Sequence, residues 1–337
     1  MNGPFGRERH IPVLLAEAME ALKPRPGSVY LDGTFGAGGY SRAILERGGE
    51  VVALDRDPAA IRAGAPLVAA SGGRLRLIEA RFGDLDAAAA EFGFDLLDGV
   101  VLDVGVSSMQ LDEPGRGFSL RFDAALDMRM GPEGRTAADI LSQEDEATIA
   151  DILHRFGEEP AARRIARAIV ADRKTAPFSS TLQLAGLVAR VAPQRQGELT
   201  HPATRTFQAL RIAVNDELGE LLRGLLAAER LLKVGGRLVV VTFHSLEDRI
   251  VKQFLANRSG RGEAASRLLP GEPARPKPTF KVPRGQPVEP TAAETRTNSR
   301  ARSARLRFAI RLDALARGAD AELEGLTRLP PKRRRTT

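Results

Sequence analysis

The sequence predicts an α/β fold in which helices cover both faces of a parallel sheet and an inserted all-helical segment interrupts the chain. Three observations support this prediction. Strand and helix patterns alternate over the first hundred residues, no convincing strand pattern occurs between residues 113 and 203, and the alternation returns afterwards. Strands separated by helices pair in parallel through right-handed crossovers, whereas a segment without strands forms a helical unit of its own.

The first four predicted strands are short apolar runs, and helix patterns separate them. The run Val100-Val101-Leu102 is typical of a strand buried on both faces of its sheet. Pro58 stands at the predicted first turn of a helix, where the missing N–H costs nothing. The predicted strands are 28–32, 50–55, 74–79 and 98–103, and the predicted helices include 39–47 and 84–91.

The middle of the chain has helical spacing only. Ser142 with Asp145 is the predicted N-cap pair of a helix that reaches Phe156. Apolar residues at helical spacing predict a second helix over 159–173. Ser180 is the predicted N-cap of a third helix over 181–191. This segment therefore predicts a small helical insertion.

The last part of the chain returns to the α/β pattern. An amphipathic helix over 215–232 is expected to end at Gly235-Gly236, before a buried strand over 237–243. The predicted domain boundaries are 8–112 for the first part of the α/β domain, 113–203 for the helical insertion, 204–312 for the second part of the α/β domain, and 313–337 for a basic, disordered tail. Within the second part, the predicted elements are a helix over 246–256, a loop rich in Pro, Gly and Arg over 259–298, and a strand over 303–312.

Composition narrows the classes of function. The chain has no cysteine, which excludes disulfides, zinc fingers, iron–sulfur clusters and thiol nucleophiles. Residues 256–337 contain 19 Lys and Arg but only 8 Asp and Glu, so the rest of the chain is net acidic although the whole carries +7. This asymmetry indicates a polyanionic partner, most simply nucleic acid. For the basic run at 332–335 a solvated tail is an equal alternative.

Targeting signals are absent from the sequence pattern. No apolar run reaches the roughly 18 residues that a membrane span needs, and the first residues lack the apolar core of a signal peptide. We therefore expect a cytoplasmic protein without a membrane partner. Nothing in the sequence distinguishes a monomer from a homodimer.

A glycine turn, DGTFGAGG at 32–39, follows the first strand and precedes a helix. Glycines at such a turn let a bulky ligand approach the backbone, and Asp55 at the end of the next strand suits ribose hydroxyls. The order of strand, turn, helix, strand and acid predicts a nucleoside cofactor. Ser41 stands where a dinucleotide fingerprint requires its third glycine, and Asp103 ends the fourth strand. These features favour S-adenosylmethionine over NAD, with an NAD-dependent oxidoreductase as the alternative.

Several further segments, in order from residue 10 to about residue 311, carry a family resemblance. Together with the glycine turn they resemble the MraW (RsmH) family of bacterial 16S rRNA cytosine-N4 methyltransferases. The segments are HIPVLL (10–15), LDRDP (54–58), LDVGVSSMQLD (102–112), RGFS (116–119), DMRM (127–130), FGEE (156–159), HPATRTFQALR (201–211), FHSLEDR (243–249) and RARSARLR (300–307).

The resemblance implies a class I, Rossmann-like methyltransferase domain interrupted by a helical substrate-recognition domain. It also implies S-adenosylmethionine as cofactor, 16S rRNA in the small ribosomal subunit as partner, and methylation of the exocyclic N4 of one cytidine in the decoding centre. The family's turn commonly reads Gly-Gly-His, whereas Tyr40 is the third residue here, so a backbone N–H carries over but an imidazole does not. The implied cofactor contacts are Gly38, Gly39, Tyr40, Asp55, Phe82, Asp103 and Gln110.

Asp103 and the turn that follows it are the candidate acceptor for the protons of the cytosine amino group. The alternative is that Asp103 only holds the amino acid end of the cofactor. His201 and His244 are candidate substrate contacts, with capping or packing roles as their alternative. No metal site is expected, because the histidine spacing has no zinc-like pattern. The candidate substrate contacts are Ser107, His201, Arg205 and His244.

A second class of function stays open at this point. A non-catalytic ribosome-assembly or RNA-binding factor can retain a cofactor pocket. The intact glycine and acidic positions favour an enzyme over such a factor.

Overall fold

The computed structural model describes residues 12–106, 113–194, 197, 200–261 and 276–330. Within these residues the chain divides into two compact units. The first unit holds residues 12–105 and 218–326, and the second holds residues 106–217 and 327–330. Among the described residues, no helix has the length and apolar character that crossing a membrane requires.

The first unit is built on a seven-stranded sheet. Its strands are β1 (Val29–Asp32), β2 (Glu50–Asp55), β3 (Leu75–Glu79), β4 (Leu97–Asp103), β5 (Leu232–Thr242), β6 (Phe280–Lys281) and β7 (Arg305–Arg311). They lie in the order β3-β2-β1-β4-β5-β7-β6. The first five strands pair in parallel, as the sequence predicted, whereas β7 pairs antiparallel with β5 and β6 pairs antiparallel with β7.

Helices cover both faces of this sheet, which confirms the predicted fold class. Val51 and Ala53 of β2 belong to an apolar cluster that also contains residues of the first two helices. Val52 and Leu54 point to the opposite face and are equally buried. The helices of the first unit are α1 (Leu15–Leu22), α2 (Gly39–Glu46), α3 (Pro58–Ala70), α4 (Leu85–Glu91), α10 (Glu217–Leu231, whose first residue falls in the second unit), α11 (Ser245–Arg258), α12 (Ala292–Thr297) and α13 (Ala321–Thr327, whose last residue falls in the second unit).

The start of α3 follows the predicted local chemistry. Pro58 is its first residue, and the side chain of Asp57 accepts a hydrogen bond from the backbone N–H of Ala59 at 3.0 Å. Pro58 has no N–H group and so needs no hydrogen-bond acceptor at this position. Asp57 accepts from one of the backbone N–H groups of the first turn, which have no acceptor within the helix.

The prediction that Gly235-Gly236 separates a helix from a strand is wrong. Strand β5 already begins at Leu232 and includes both glycines. Its pairing with β4 shifts register between Leu97 and Gly99. Gly236 lies so close to the neighbouring backbone that a Cβ there would be 2.8 Å from the Lys233 carbonyl oxygen. The glycines therefore accommodate an irregular strand start.

The second unit is helical, as predicted. Apart from the isolated bridge between Ala125 and Ser180, its described residues form no strand. Ser180 caps its helix through the N–H of Gln183 at 3.2 Å. Asp145 is a helix N-cap but Ser142 is not, because Ser142 lies inside the preceding helix. The helices are α5 (Ala137–Gln143), α6 (Glu146–Gly157), α7 (Ala162–Asp172), α8 (Thr181–Val191) and α9 (Thr204–Asn215).

Helix α9 lies in the second unit, although the sequence placed residues from 204 onward in the α/β domain. It packs closely on α6: a Cβ on Gly157 would lie 2.5 Å from the Arg205 carbonyl oxygen. The Gln208 amide also donates to the Phe156 carbonyl at 3.2 Å. Tertiary packing therefore sets the observed border, between Glu217 and Leu218.

The C-terminal part contains more regular structure than the sequence indicated. The predicted loop 259–298 includes β6 and α12, and the predicted tail from 313 includes α13. Leu323 of α13 is fully buried, and Arg317 donates to the Asn257 carbonyl at 2.6 Å. These contacts come from residues far apart in sequence, so local composition did not indicate them. The basic run at 332–335 lies outside the described residues.

Candidate functional site

The carboxyl ends of three neighbouring parallel strands carry the acidic residues Asp32, Asp55 and Asp103. Strand β1 lies between β2 and β4, so the glycine turn after Asp32 is flanked by both other strand ends. The N–H of Asp103 donates to the Thr34 hydroxyl at 2.6 Å, and the N–H of Gly36 donates to Asp55 Oδ2 at 2.8 Å. The turn is therefore fixed to both neighbours at the edge where open α/β sheets bind ligands.

The turn leaves no room for a side chain at Gly38. Gly38 has φ +78°, and a Cβ there would lie 2.8 Å from the Phe35 ring. Gly38 is also the N-cap of α2 and makes no side-chain cap. The first N–H groups of the helix are thus not capped by its N-cap residue, which is typical of turns that bind a ligand through backbone N–H groups.

Asp32 is buried beneath the turn. Its carboxylate accepts hydrogen bonds from the Ser41 hydroxyl at 2.7 Å and from the N–H of Thr34 at 3.1 Å. Burial raises the pKa of Asp32 from 3.8 to about 6, and the Ser41 hydrogen bond partly opposes this. The residue that interrupts the dinucleotide fingerprint therefore bonds an internal acid, a role that the sequence did not indicate.

The raised pKa of Asp32 predicts a pH dependence of stability. Because the folded state holds this proton more tightly than the unfolded chain, stability falls as the pH rises from about 4 through about 6. At about 1.4 kcal/mol per pKa unit, the loss is about 3 kcal/mol. In Asp32→Asn this loss is absent, so the variant gains stability relative to the parent between pH 4 and pH 7.

Urea unfolding of both proteins at several pH values measures this difference. Asp95→Asn, a change at an exposed acid, is the control variant. If the curves of the parent protein and Asp32→Asn run parallel, Asp32 does not titrate in this range.

Asp55 uses both carboxylate oxygens to hold the backbone. Oδ2 accepts from the N–H of Gly36 and Oδ1 from the N–H of Asp57, both at 2.8 Å. Burial raises the pKa of Asp55, and the backbone hydrogen bonds from Asp57 and Gly36 oppose that effect. A carboxylate oxygen accepts more than one hydrogen bond, so both oxygens can still receive hydroxyl groups of a ligand.

Asp103 has a different environment. Its Oδ1 atom is buried and has no hydrogen-bond partner among the described residues. Burial raises the pKa of Asp103 well above its usual value, and the negative charges of Asp32 and Glu247 add to this. Buried acceptors are rarely left without a partner. Asp103 is therefore the strongest indication of a ligand group at this edge.

Tyr40 turns its side chain away from the turn into the core. Its ring is buried, and its hydroxyl donates to the Val13 carbonyl oxygen. Burial raises the pKa of Tyr40 well above its usual value. The phenol is thus used internally, and the backbone N–H is the group of Tyr40 that remains for a ligand.

Phe82 lies beside the turn on a 3-10 turn that follows β3, Phe82–Asp84. Its Cβ would be 3.1 Å from a Cβ on Gly33. Glu220 of α10, a buried acid, holds this turn by accepting from the N–H of Gly83 at 2.9 Å and from Arg81 at 3.3 Å. Glu220 was missed from the sequence. The signal that could have identified Glu220 is its charge, which interrupts the apolar pattern of α10.

His244 follows β5 and is the N-cap of α11. Its Nδ1 accepts from the N–H of Glu247 at 3.4 Å, while Glu247 accepts from the N–H groups of Phe243 and His244 at 2.8 and 3.1 Å. This reciprocal cap supports the capping alternative for His244. Because Glu247 contributes to the raised pKa of Asp103, the cap nevertheless lies within electrostatic reach of the site.

Of the remaining predicted contacts, two lie in the second unit and two lie outside the described residues. His201 and Arg205 belong to the second unit. His201 accepts from the N–H of Ala203 at 3.1 Å, and Arg205 donates to the Glu158 carbonyl at 3.2 Å. Ser107 and Gln110 lie outside the described residues.

Comparison with known proteins covers almost the whole chain. The model of the MraW methylase family matches residues 7–312. The chain is 60% identical to a ribosomal RNA small subunit methyltransferase H of Methylocella silvestris, over 97% of this chain and 94% of the relative. A protein of the same name from Methylorubrum populi is 60% identical over 98% and 94% of the two chains. One from Rhizobium etli is 56% identical over 96% and 94%.

Proposed function

This chain belongs to the MraW methylase family, and on that premise we propose that it methylates the exocyclic N4 of one cytidine in the decoding centre of 16S rRNA. S-adenosylmethionine is the methyl donor. The observation that carries the proposal is the acidic edge beside the glycine turn, where Asp55 retains acceptor capacity and Asp103 Oδ1 is buried without a described partner.

The residues at the edge fit this cofactor. We assign the ribose hydroxyls to Asp55, and the backbone N–H groups of Gly38 to Tyr40 lie at the uncapped start of α2. Phe82, beside Gly33, offers an apolar ring for the adenine. Asp103 and Gln110 are proposed for the amino acid end. When bound, the cofactor supplies an electrophilic methyl group on a sulfonium sulfur, which is an excellent leaving group.

The chain's main task is then to position the acceptor nitrogen. The lone pair of cytosine N4 is delocalised into the ring, so a hydrogen-bond acceptor aimed at its N–H groups favours the reactive geometry. Asp103 is the candidate acceptor, because its Oδ1 has no other described use. A role confined to holding the amino acid end of the cofactor is the alternative, and the two differ in whether cofactor affinity or turnover depends on Asp103.

The rRNA partner follows from the names of the relatives. We assign substrate recognition to the helical second unit, with His201 and Arg205 as contacts, and further contacts to Ser107 and His244. Aromatic residues make up only 5% of the chain, so recognition through phosphates and shape is expected rather than extended base stacking. Reaching N4 requires an exposed or flipped-out nucleotide. An rRNA substrate also implies a cytoplasmic location.

The deciding experiment is mass spectrometry of 16S rRNA from a strain that lacks this protein. We expect one cytidine to lose its N4 methyl group and to regain it when the wild-type gene is restored. An unchanged methylation pattern would contradict the enzyme and favour the assembly-factor alternative, which predicts altered subunits with normal methylation.

A further inference from the structure

None of the proposed cofactor contacts comes from the motif RARSARLR at 300–307, yet the sheet topology brings the first half of this motif to the same edge. Strand β7 starts at Arg305, which pairs with Thr242 at the carboxyl end of β5. In the neighbouring pairing, Asp103 of β4 lies opposite Val241 of β5. Because β7 is antiparallel, the residues just before it reach the sheet at the edge that carries Asp103.

A second contact independently places this region beside the glycine turn. Glu294 of α12 accepts from the N–H of Leu14 at 2.7 Å. The carbonyl oxygen of the adjacent residue, Val13, accepts a hydrogen bond from the hydroxyl of Tyr40, the first residue after the turn. The charge of Glu294 also contributes to the raised pKa of Tyr40. Helix α12 is therefore fixed to the start of α2 through two hydrogen bonds.

The short helix between α12 and β7, Ser299–Ser303, packs on the core. Ala301 and Ala304 are buried in the apolar cluster of the first unit. Asn298 caps this helix by accepting from the N–H of Arg300 at 3.1 Å. With the alanines facing inward, Arg302 is exposed to solvent, as is Arg296 on α12.

Four arginines of this region differ in their partners. Arg305 and Arg307 form ion pairs with Asp248 of α11. Arg296 and Arg302 form no ion pair with any carboxylate of the described residues. Two exposed cations without a described acidic partner add nothing evident to folding, and they are available to bind an anion.

We propose that Arg296 and Arg302 form a phosphate-binding surface that holds the RNA backbone next to the target nucleotide. This inference rests on the proposed rRNA substrate. The guanidinium groups neutralise phosphates and so position the strand at the edge that carries Asp103, without reading its sequence. Because each phosphate contact releases counterions, binding through this surface weakens as salt rises.

The test uses the full chain and small subunits purified from the strain that lacks it. In the double variant Arg296→Glu/Arg302→Glu, we expect the affinity for subunits to fall by about 10-fold or more. In Arg296→Gln/Arg302→Gln, we expect the slope of log affinity against log salt to decrease by about 2. The affinity for S-adenosylhomocysteine, measured by calorimetry, should stay at the wild-type value and shows that the variants are folded.

Lys281→Glu is the matched control. Lys281 is also an exposed cation of the C-terminal part, but it pairs with Ile310 towards the opposite end of β7. The proposed phosphate-binding surface is contradicted if Lys281→Glu loses as much affinity as the arginine variants. It is also contradicted if the arginine variants keep the wild-type affinity and salt slope. If the wild-type protein binds subunits without methylating them, the proposed function is contradicted instead. The comparison of subunit affinity between the wild-type protein and the arginine variants still tests the phosphate-binding surface.

Discussion

Asp103→Ala is expected to abolish methyl transfer while the protein stays folded. Removing an acceptor that acts on the reacting group costs about 100-fold to 10,000-fold in rate. The fold should tolerate the change, since Oδ1 has no described partner and the hydrogen bond to Thr34 comes from the backbone N–H of Asp103. No hydrogen-bond donor of the described residues loses its acceptor when this buried carboxylate is removed.

Calorimetry with S-adenosylhomocysteine, combined with single-turnover methylation of small subunits, separates the two proposed roles of Asp103. If it accepts the N4 protons, the rate falls and the cofactor affinity is kept. If it holds the amino acid end of the cofactor, the affinity falls as well. Asp98→Ala is the control, because Asp98 lies near the opposite end of β4 and pairs with Lys233. A rate and an affinity near wild type in Asp103→Ala would rule out both roles.

The raised pKa of Asp103 also predicts how the methylation rate changes with pH on the acidic side. Because burial raises the pKa of Asp103 well above its usual value, the carboxylate form that accepts a proton is present only at higher pH. The methylation rate is therefore expected to rise with pH until Asp103 is ionised. In Asp103→Asn, which cannot ionise, the residual rate should lose this dependence.

Asp55→Ala is expected to lower the affinity for S-adenosylhomocysteine by roughly 100-fold. Hydrogen bonds to a charged group contribute about 1.5–3 kcal/mol each, and loss of two ribose contacts corresponds to about 3 kcal/mol or more. Alanine also releases the N–H groups of Gly36 and Asp57, which Asp55 now holds. Calorimetric titration measures the loss directly.

Two variants bracket this prediction. Asp55→Asn keeps one carbonyl oxygen and should show a smaller loss than Asp55→Ala. Asp57→Ala removes the cap on Ala59, so it should lower stability by about 1 kcal/mol with little change in cofactor affinity. Normal binding by Asp55→Ala would show that the ribose is held elsewhere.

The candidate site was predictable where a residue's position follows from the end of a strand. Asp55 and Asp103 were identified because parallel strands bring their carboxyl ends to one edge. The residues that form hydrogen bonds with Asp32 and Glu220 were not identified from the sequence. Ser41 is nine residues from Asp32, and Gly83 is 137 residues from Glu220, and no local pattern records such pairs.

Local signals were sufficient for β1 to β5 and β7, the helical insertion, the start of α3 at Pro58 and the cap at Ser180, since periodicity and capping act within about four residues. The reversed direction of β7 and the inclusion of Gly235-Gly236 in β5 depended on pairing between distant strands. The position of Arg296 and Arg302 near the sheet edge that carries Asp103 also depended on distant residues. It rests on contacts such as that of Leu14 with Glu294, 280 residues apart. Such contacts form only when the whole core packs, because their free energy comes from burial and register rather than from neighbouring residues.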